Sequence, residues 1–233
     1  MKRFLLLILT TIAFGAYAQD TVKKSNSIGK FNEQFMVLKS DKKVKHGFYQ
    51  LIIDKKVVAS GKYVQGQRAG IWNFYNDDQL EQQYDYTAKK VVSNAPPAAI
   101  QTVIDAAAPG DSIVPAIKLG GYNGFKMLVA STDFETAVSD AGSNKVTHAL
   151  VIDENGEIKS WVATIKSSDG IKIVTQKIVD VPADILAFIP AKLNGKTVSS
   201  TVTFNSEMKG FGPGAGGDAP NTRANQRGGR RRG

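Results

Sequence analysis

The side chains that most often carry catalysis or hold metal ions are few and scattered in this chain of 233 residues. Its two histidines, His46 and His148, lie far apart, and neither stands in a cluster of acidic residues or beside a third ligand. A metal centre needs several convergent donors, so neither histidine marks one by itself. There is no cysteine, which removes thiolate ligation, thiol nucleophiles and disulfide stapling from the available chemistry. The carboxylates are equally dispersed: Asp153 and Glu154 flank Asn155-Gly156, where acidic residues serve turns, while Asp105, Asp111 and Asp133 fall between apolar runs. None of the spacings of a serine nucleophile elbow, a zinc-protease helix, a Walker loop or an EF-hand occurs. Gly210-Phe211-Gly212-Pro213-Gly214 is glycine-rich, but no lysine or helix pattern follows it to hold a phosphate. The expectation is a non-enzyme with no catalytic, cofactor or metal residues. A hydrolase assembled from distant carboxylates stays open as the enzymatic alternative.

A binding protein is left, and the ends of the chain bear on where it works. Lys2 and Arg3 form a charged start, Phe4 to Gly15 an apolar run, and Ala16-Tyr17-Ala18 a small-residue cleavage site. Residues 1–18 are thus expected to be a signal peptide cut before Gln19, since the run is shorter than the roughly 20 residues that span a bilayer. The mature chain is expected in the periplasm or at the outer membrane, with no transmembrane helix after cleavage. Most of the formal net charge of +9 sits at the two ends, and the body is close to neutral. Residues 209–233 form a Gly/Arg-rich tail ending Arg227-Gly228-Gly229-Arg230-Arg231-Arg232. So little apolar surface cannot offset the entropy of ordering, so the tail is expected to be disordered. It resembles segments that bind single-stranded nucleic acid. Export argues against that partner and leaves weak contact with anionic lipid or glycan.

Between these ends the elements fall into two groups. Residues 19–45 are polar and lysine-rich, with Phe35 to Leu38 as a first short strand. Residues 46–92 read as consecutive hairpins: Phe48 to Ile53, Val57 to Val64, Ile71 to Tyr75 and Leu80 to Tyr86, parted by turns at Asp54-Lys55-Lys56, Gly66-Gln67-Arg68 and Asn76-Asp77-Asp78. Gly47 and Gly70 stand 23 residues apart, as do Asp54 and Asp77, and Tyr63 and Tyr86, which makes an internal repeat. Trp72 and Tyr63 are expected to pack within the sheet. The phrases His46 to Tyr49 and Ser60 to Leu80, with the Tyr84/Tyr86 ending, resemble the bacterial MORN-type repeats. That resemblance implies elongated hairpin sheets used for interaction or membrane contact.

Ser93 to Pro97 breaks the strand pattern, and residues 93–114 read as a linker holding an alanine-rich helix over Ala98 to Ala108. Over 115–208 the order is helix, strand, strand, helix, strand. Phe125, Leu128 and Val129 make a helical stripe. Val146, His148, Leu150 and Ile152 share one strand face, and Asn155-Gly156 turns into a second strand, Ile158 to Ile165. Ile171, Val174, Ile178 and Val181 recur at helical spacing, and a terminal strand runs over about Lys196 to Asn205. The fold class is α+β, with a hairpin module followed by a small antiparallel sheet bearing two helices on one face.

Three phrases, Pro115 to Ser131, Lys145 to Ile165 and Phe188 to Phe204, make this part similar to the TonB C-terminal domain family. The family's domain captures an extended segment of outer-membrane transporters at a sheet edge. The resemblance implies that an envelope protein, such as an outer-membrane transporter, pairs with Val198, Ser199, Ser200, Thr201, Val202 and Thr203 by strand addition. The family's membrane anchor and Pro-rich spacer are replaced here by the leader and the hairpins, and its usual proline is lacking from Thr132 to Ser143. Fold and binding mode carry over, without energised transport. The rival reading is an assembly or stress factor held at the membrane by its tail.

Overall fold

The computed structural model describes residues 20–28, 30–132, 143–167 and 170–209. The leader, Asp133, the Thr132 to Ser143 loop apart from its two ends, and the Arg-rich tail beyond Lys209 lie outside them. The chain divides into two compact units, residues 1–94 and 95–233. Antiparallel strands predominate, and the described residues include two helices, an α+β composition.

The first unit is one sheet of seven strands in sequence order: β1 (Thr21–Ile28), β2 (Phe31–Leu38), β3 (Lys45–Ile53), β4 (Lys56–Val64), β5 (Gln67–Asn76), β6 (Gln79–Asp85) and β7 (Lys90–Asn94). Three connections are two-residue turns with positive φ at both positions: Asp54-Lys55 (48°, 67°), Gln65-Gly66 (50°, 80°) and Asp77-Asp78 (48°, 63°). This is the turn whose twist matches paired strands. The expected turn at Gly66-Gln67-Arg68 is corrected to Gln65-Gly66, because Gln67 already opposes Val64 in the ladder. Lys55 holds a left-handed backbone that costs a side chain about 1–2 kcal/mol. Lys55→Gly is therefore expected to raise the urea midpoint of this unit by about 0.5–1 kcal/mol equivalent, and the β-branched Lys55→Val to lower it. A fall for glycine would show that the lysine side chain contributes more than its backbone costs.

The single short strand expected at Phe35 to Leu38 within residues 19–45 is extended: the segment holds β1 and the longer β2. Thr21–Ile28 pairs along its whole length with β2, from Thr21 opposite Leu38 to Ile28 opposite Phe31. An edge strand needs little apolar content when its open side faces solvent, and its lysines discourage further pairing. Trp72, fully buried, centres the packed face. Its ring lies 5.0 Å from that of Tyr49, and Tyr63 and Tyr86 meet it edge-on at 5.2 and 5.6 Å. Arg68 stacks 4.4 Å above it, and its indole N–H donates to Lys62 O at 3.1 Å.

In the second unit, two corrections concern expected helices. Residues 98–108 form no helix; a turn donates Ile100 N–H to Pro97 O, and β8 (Gln101–Val103) follows. A lone helix of that length is marginal, whereas the observed path buries Ile104 and packs Ile100 and Ala107 on the core. After β9 (Ile113–Val114) and β10 (Ile117–Lys118) comes α1 (Gly121–Ala130), which buries Phe125 and Leu128 as its stripe predicts. Then β11 (Ser143–Ile152) turns at Asn155-Gly156 into β12 (Ile158–Ser167). Gly156 has φ 83°, and a Cβ there would lie 2.3 Å from Phe188 O, so only glycine fits.

The expected helix from Ile171 to Val181 is instead β13 (Gly170–Thr175), paired with β12, followed by an irregular stretch. Ile171, Ile173, Val174 and Thr175 are β-branched, and their strand preference outweighs the coincidental helical spacing. The second helix is the single turn α2 (Ala183–Leu186), followed by β14 (Phe188–Ile189), β15 (Ala191–Leu193), β16 (Lys196–Val198) and β17 (Ser200–Lys209). The main sheet runs β13-β12-β11-β17-β8. Phe125 and Leu128 of α1 and Ile185 of α2 join Leu150, Ile152, Trp161, Val202 and Phe204 in one core.

Candidate functional site

Of the six residues expected to receive a partner strand, Thr201, Val202 and Thr203 are paired on both sides and are not at an edge. Val198 ends β16, which pairs with β15, and Ser199 separates it from β17. Thr201, Val202 and Thr203 oppose Val151, Leu150 and Ala149 of β11 on one side. On the other side they oppose Val103, Thr102 and Gln101 of β8. The chain thus fills the position assigned to a partner with its own three-residue strand, drawn from the segment read as a helix. Ser200 and Val202 are buried. Pairing with a foreign strand at Thr201 to Thr203 is corrected on this ground.

The sheet ends in the three-residue β8 on one side and the six-residue β13 on the other; β13 is the longer edge, and no strand among the described residues pairs with its outer side. Gln176 N–H donates to Trp161 O at 2.9 Å. Because backbone groups alternate in direction along an antiparallel strand, Gly170, Lys172 and Val174 turn theirs toward β12. Ile171, Ile173 and Thr175 then turn theirs outward. Val174 packs against Val146, Ala163 and Ile165 on the core side, whereas Ile171 and Ile173 are each 69% exposed on the other face. An outward ladder flanked by two exposed isoleucines is what an added strand requires: backbone groups for affinity and alternate side chains for selectivity. The sequence signal for this edge was the alternating run Ile171-Lys172-Ile173-Val174-Thr175, which helical spacing overshadowed.

The remaining candidates are held in structural roles. His148 is buried; its Nδ1 accepts from the Trp161 indole at 3.0 Å and its Nε2 lies 2.8 Å from Ser206 Oγ. Burial pushes its pKa down to about 4. His46 Nδ1 accepts the Gln65 N–H at 3.3 Å. Asp153 closes the β11–β12 turn, its carboxylate accepting from Glu157 N–H at 2.8 Å and Asn155 N–H at 2.9 Å, with Lys159 at 3.0 Å. The Glu157 N–H is the main reason its pKa falls to about 2. Asp111 is lowered first by Asn194, then by the Ala108 N–H, and Asp105 is exposed. Among the described residues no three His, Asp or Glu side chains are placed to share a metal ion. Lys45 Nζ stands 4.6 Å from the Phe35 ring centroid, 5.1 Å from that of Tyr49 and 5.3 Å from that of Tyr63, so the chain's own lysine occupies this aromatic cluster.

No family model, curated protein or solved structure matches this chain. The β13 edge therefore rests on its own geometry. Among the described residues no helix is long and apolar enough to cross a membrane.

Proposed function

We propose that this chain is a non-catalytic cell-envelope protein whose second unit captures an extended segment of a partner by strand addition along β13. The observation that carries this reading is the outward ladder of Ile171, Ile173 and Thr175 beside two exposed isoleucines. The exported leader and the three phrases similar to the TonB C-terminal domain family support an outer-membrane transporter, or a like envelope protein, as the partner. The first unit, with its MORN-type phrases, is a further interaction surface in this reading. The Arg-rich tail adds weak contact with anionic lipid or glycan.

Ile173 allows a clean test. Its N–H points away from β12, so proline there leaves the internal ladder intact while deleting a donor and obstructing an incoming strand. An array of peptides from the amino-terminal segments of outer-membrane transporters, probed with the chain beginning at Gln19, is expected to show binding. Ile173→Pro should weaken it about tenfold, beyond any loss in Ile173→Ala, as removal of one ladder bond plus its neighbour's alignment implies. Circular dichroism checks that the proline variant is folded. Equal binding by a folded Ile173→Pro variant would exclude this edge.

A further inference from the structure

Side chains on one face of a sheet line up across strands according to register. In the first unit Ser25 opposes Gln34, Gln34 opposes Gln50, and Gln50 opposes Ser60. Ser60 in turn opposes Asn73, Asn73 opposes Gln83, and Gln83 opposes Ser93. Each of the seven strands thus contributes one uncharged amide or hydroxyl to a single row. At the usual strand separation the row is about 29 Å long. It lies on the face opposite Trp72, since Asn73 is its chain neighbour.

Hydrogen bonds within the row hold the amides in place. Gln50 Nε2 donates to Gln34 Oε1 at 2.9 Å, Gln83 Nε2 to Asn73 Oδ1 at 2.8 Å, and Ser93 Oγ to Gln83 Oε1 at 3.5 Å. A primary amide has two donor hydrogens and two acceptor positions, so these bonds leave capacity for an outside ligand. Two residues along the same strands, Phe48 and Ile71 stand on the same face, 52% and 51% exposed. Lys62 and Asp85 lie one row away from the amides, and the row itself carries no charge.

We propose that this face binds a linear, uncharged glycan laid across the strands, with Gln34, Gln50, Asn73 and Gln83 bonding its hydroxyls and Phe48 receiving the apolar face of a sugar ring. Adjacent donor and acceptor groups on an amide match adjacent hydroxyls on a sugar. A neutral strip asks no ion of the ligand to give up its water. An extended chain crossing the strands meets a new polar group at each one. The row matches other ligands poorly: nucleic acid and anionic lipid call for cations along the contact, and a captured peptide strand uses an edge rather than a face. This site is independent of β13.

The probe is chitohexaose, a soluble neutral oligosaccharide, titrated into the chain beginning at Gln19. Side-chain amide resonances of Gln34, Gln50, Asn73 and Gln83 and the Phe48 ring are expected to shift together. Gln50→Glu and Gln83→Glu keep side-chain shape but exchange donors for a charge, and each is expected to weaken binding about tenfold. Phe48→Ala should weaken it as well, by a route that leaves the amides intact. Absence of shifts at millimolar sugar, or unchanged binding by both glutamate variants, overturns the proposal. So does sedimentation showing that the same face pairs with a second copy and that Gln50→Glu abolishes the pairing.

Discussion

Trp72→Ala is expected to lower the stability of the first unit by about 3–5 kcal/mol, the range for deleting a large side chain from a packed interior. The indole is fully buried although it stands on a single sheet. It achieves this because Tyr49, Tyr63 and Tyr86 surround it and Arg68 covers its face. The floor beneath it is Gly61. A Cβ at Gly61 would lie 2.3 Å from the Trp72 ring, a distance no side chain tolerates. Gly61→Ala is therefore expected to be about as harmful as overpacking becomes, roughly 3 kcal/mol.

The two substitutions should not add. Once Trp72 is reduced to alanine, the space that the Gly61 Cβ would invade is empty, so Gly61→Ala on that background should cost little. Urea unfolding of the parent, both single variants and the double variant closes the cycle. Coupling of about 2 kcal/mol or more is expected, as for residues in direct contact. Simple additivity would mean that ring and glycine are not packed against each other.

The hairpins of the first unit were legible because two local signals agreed: strand-forming alternation and short polar turns. Equivalent positions 23 residues apart lie in corresponding places, Gly47 and Gly70 both with positive φ and Asp54 and Asp77 both opening turns. β1 was not legible, since Thr21–Ile28 is nearly all polar and its pairing with β2 comes from tertiary context. The amide row recurs at the same offset, Gln50 with Asn73 and Ser60 with Gln83.

In the second unit, the face of Val146, His148, Leu150 and Ile152 was legible from period two, and all four are buried. The failures came where short segments gave mixed signals. Gln101–Val103 is too short to announce itself as a strand, yet it covers the residues expected to be open. Once it takes the outer side of Thr201 to Thr203, the longest edge left open in this sheet's strand order is β13. This tripeptide thus displaces the candidate edge, while the coarse α+β composition, which depends on longer patterns, stands.

Lowering the pH from 6.5 to 4 is expected to remove about 3 kcal/mol of stability from the second unit through His148 alone. The imidazole is buried between strands, stacked on Phe204 at 4.5 Å, and burial holds its pKa near 4. Its Nδ1 accepts the Trp161 N–H at 3.0 Å, which places the proton of the neutral ring on Nε2 beside Ser206. Adding a proton to Nδ1 would destroy that acceptor and leave a cation in the core. In the unfolded chain the same histidine titrates near 6.5. Between the two values the unfolded state holds more protons, so stability is fully present above about 6.5 and declines as pH falls toward 4.

His148→Gln separates this effect from the carboxylates. Its side-chain oxygen can still accept from Trp161, and it does not ionise. Asp153, lowered to about 2 in the folded chain, loses its contribution as pH falls from its ordinary value near 4 toward 2, and it does so alike in parent and variant. In a Trp72→Phe background, Trp161 is the one remaining tryptophan of the chain and reports unfolding of its own unit. The stability difference between parent and His148→Gln should shift by about 3 kcal/mol in favour of the variant across this window. A difference that stays constant with pH would show that His148 is free to protonate in the folded protein, which buried packing against Phe204 and Trp161 does not permit.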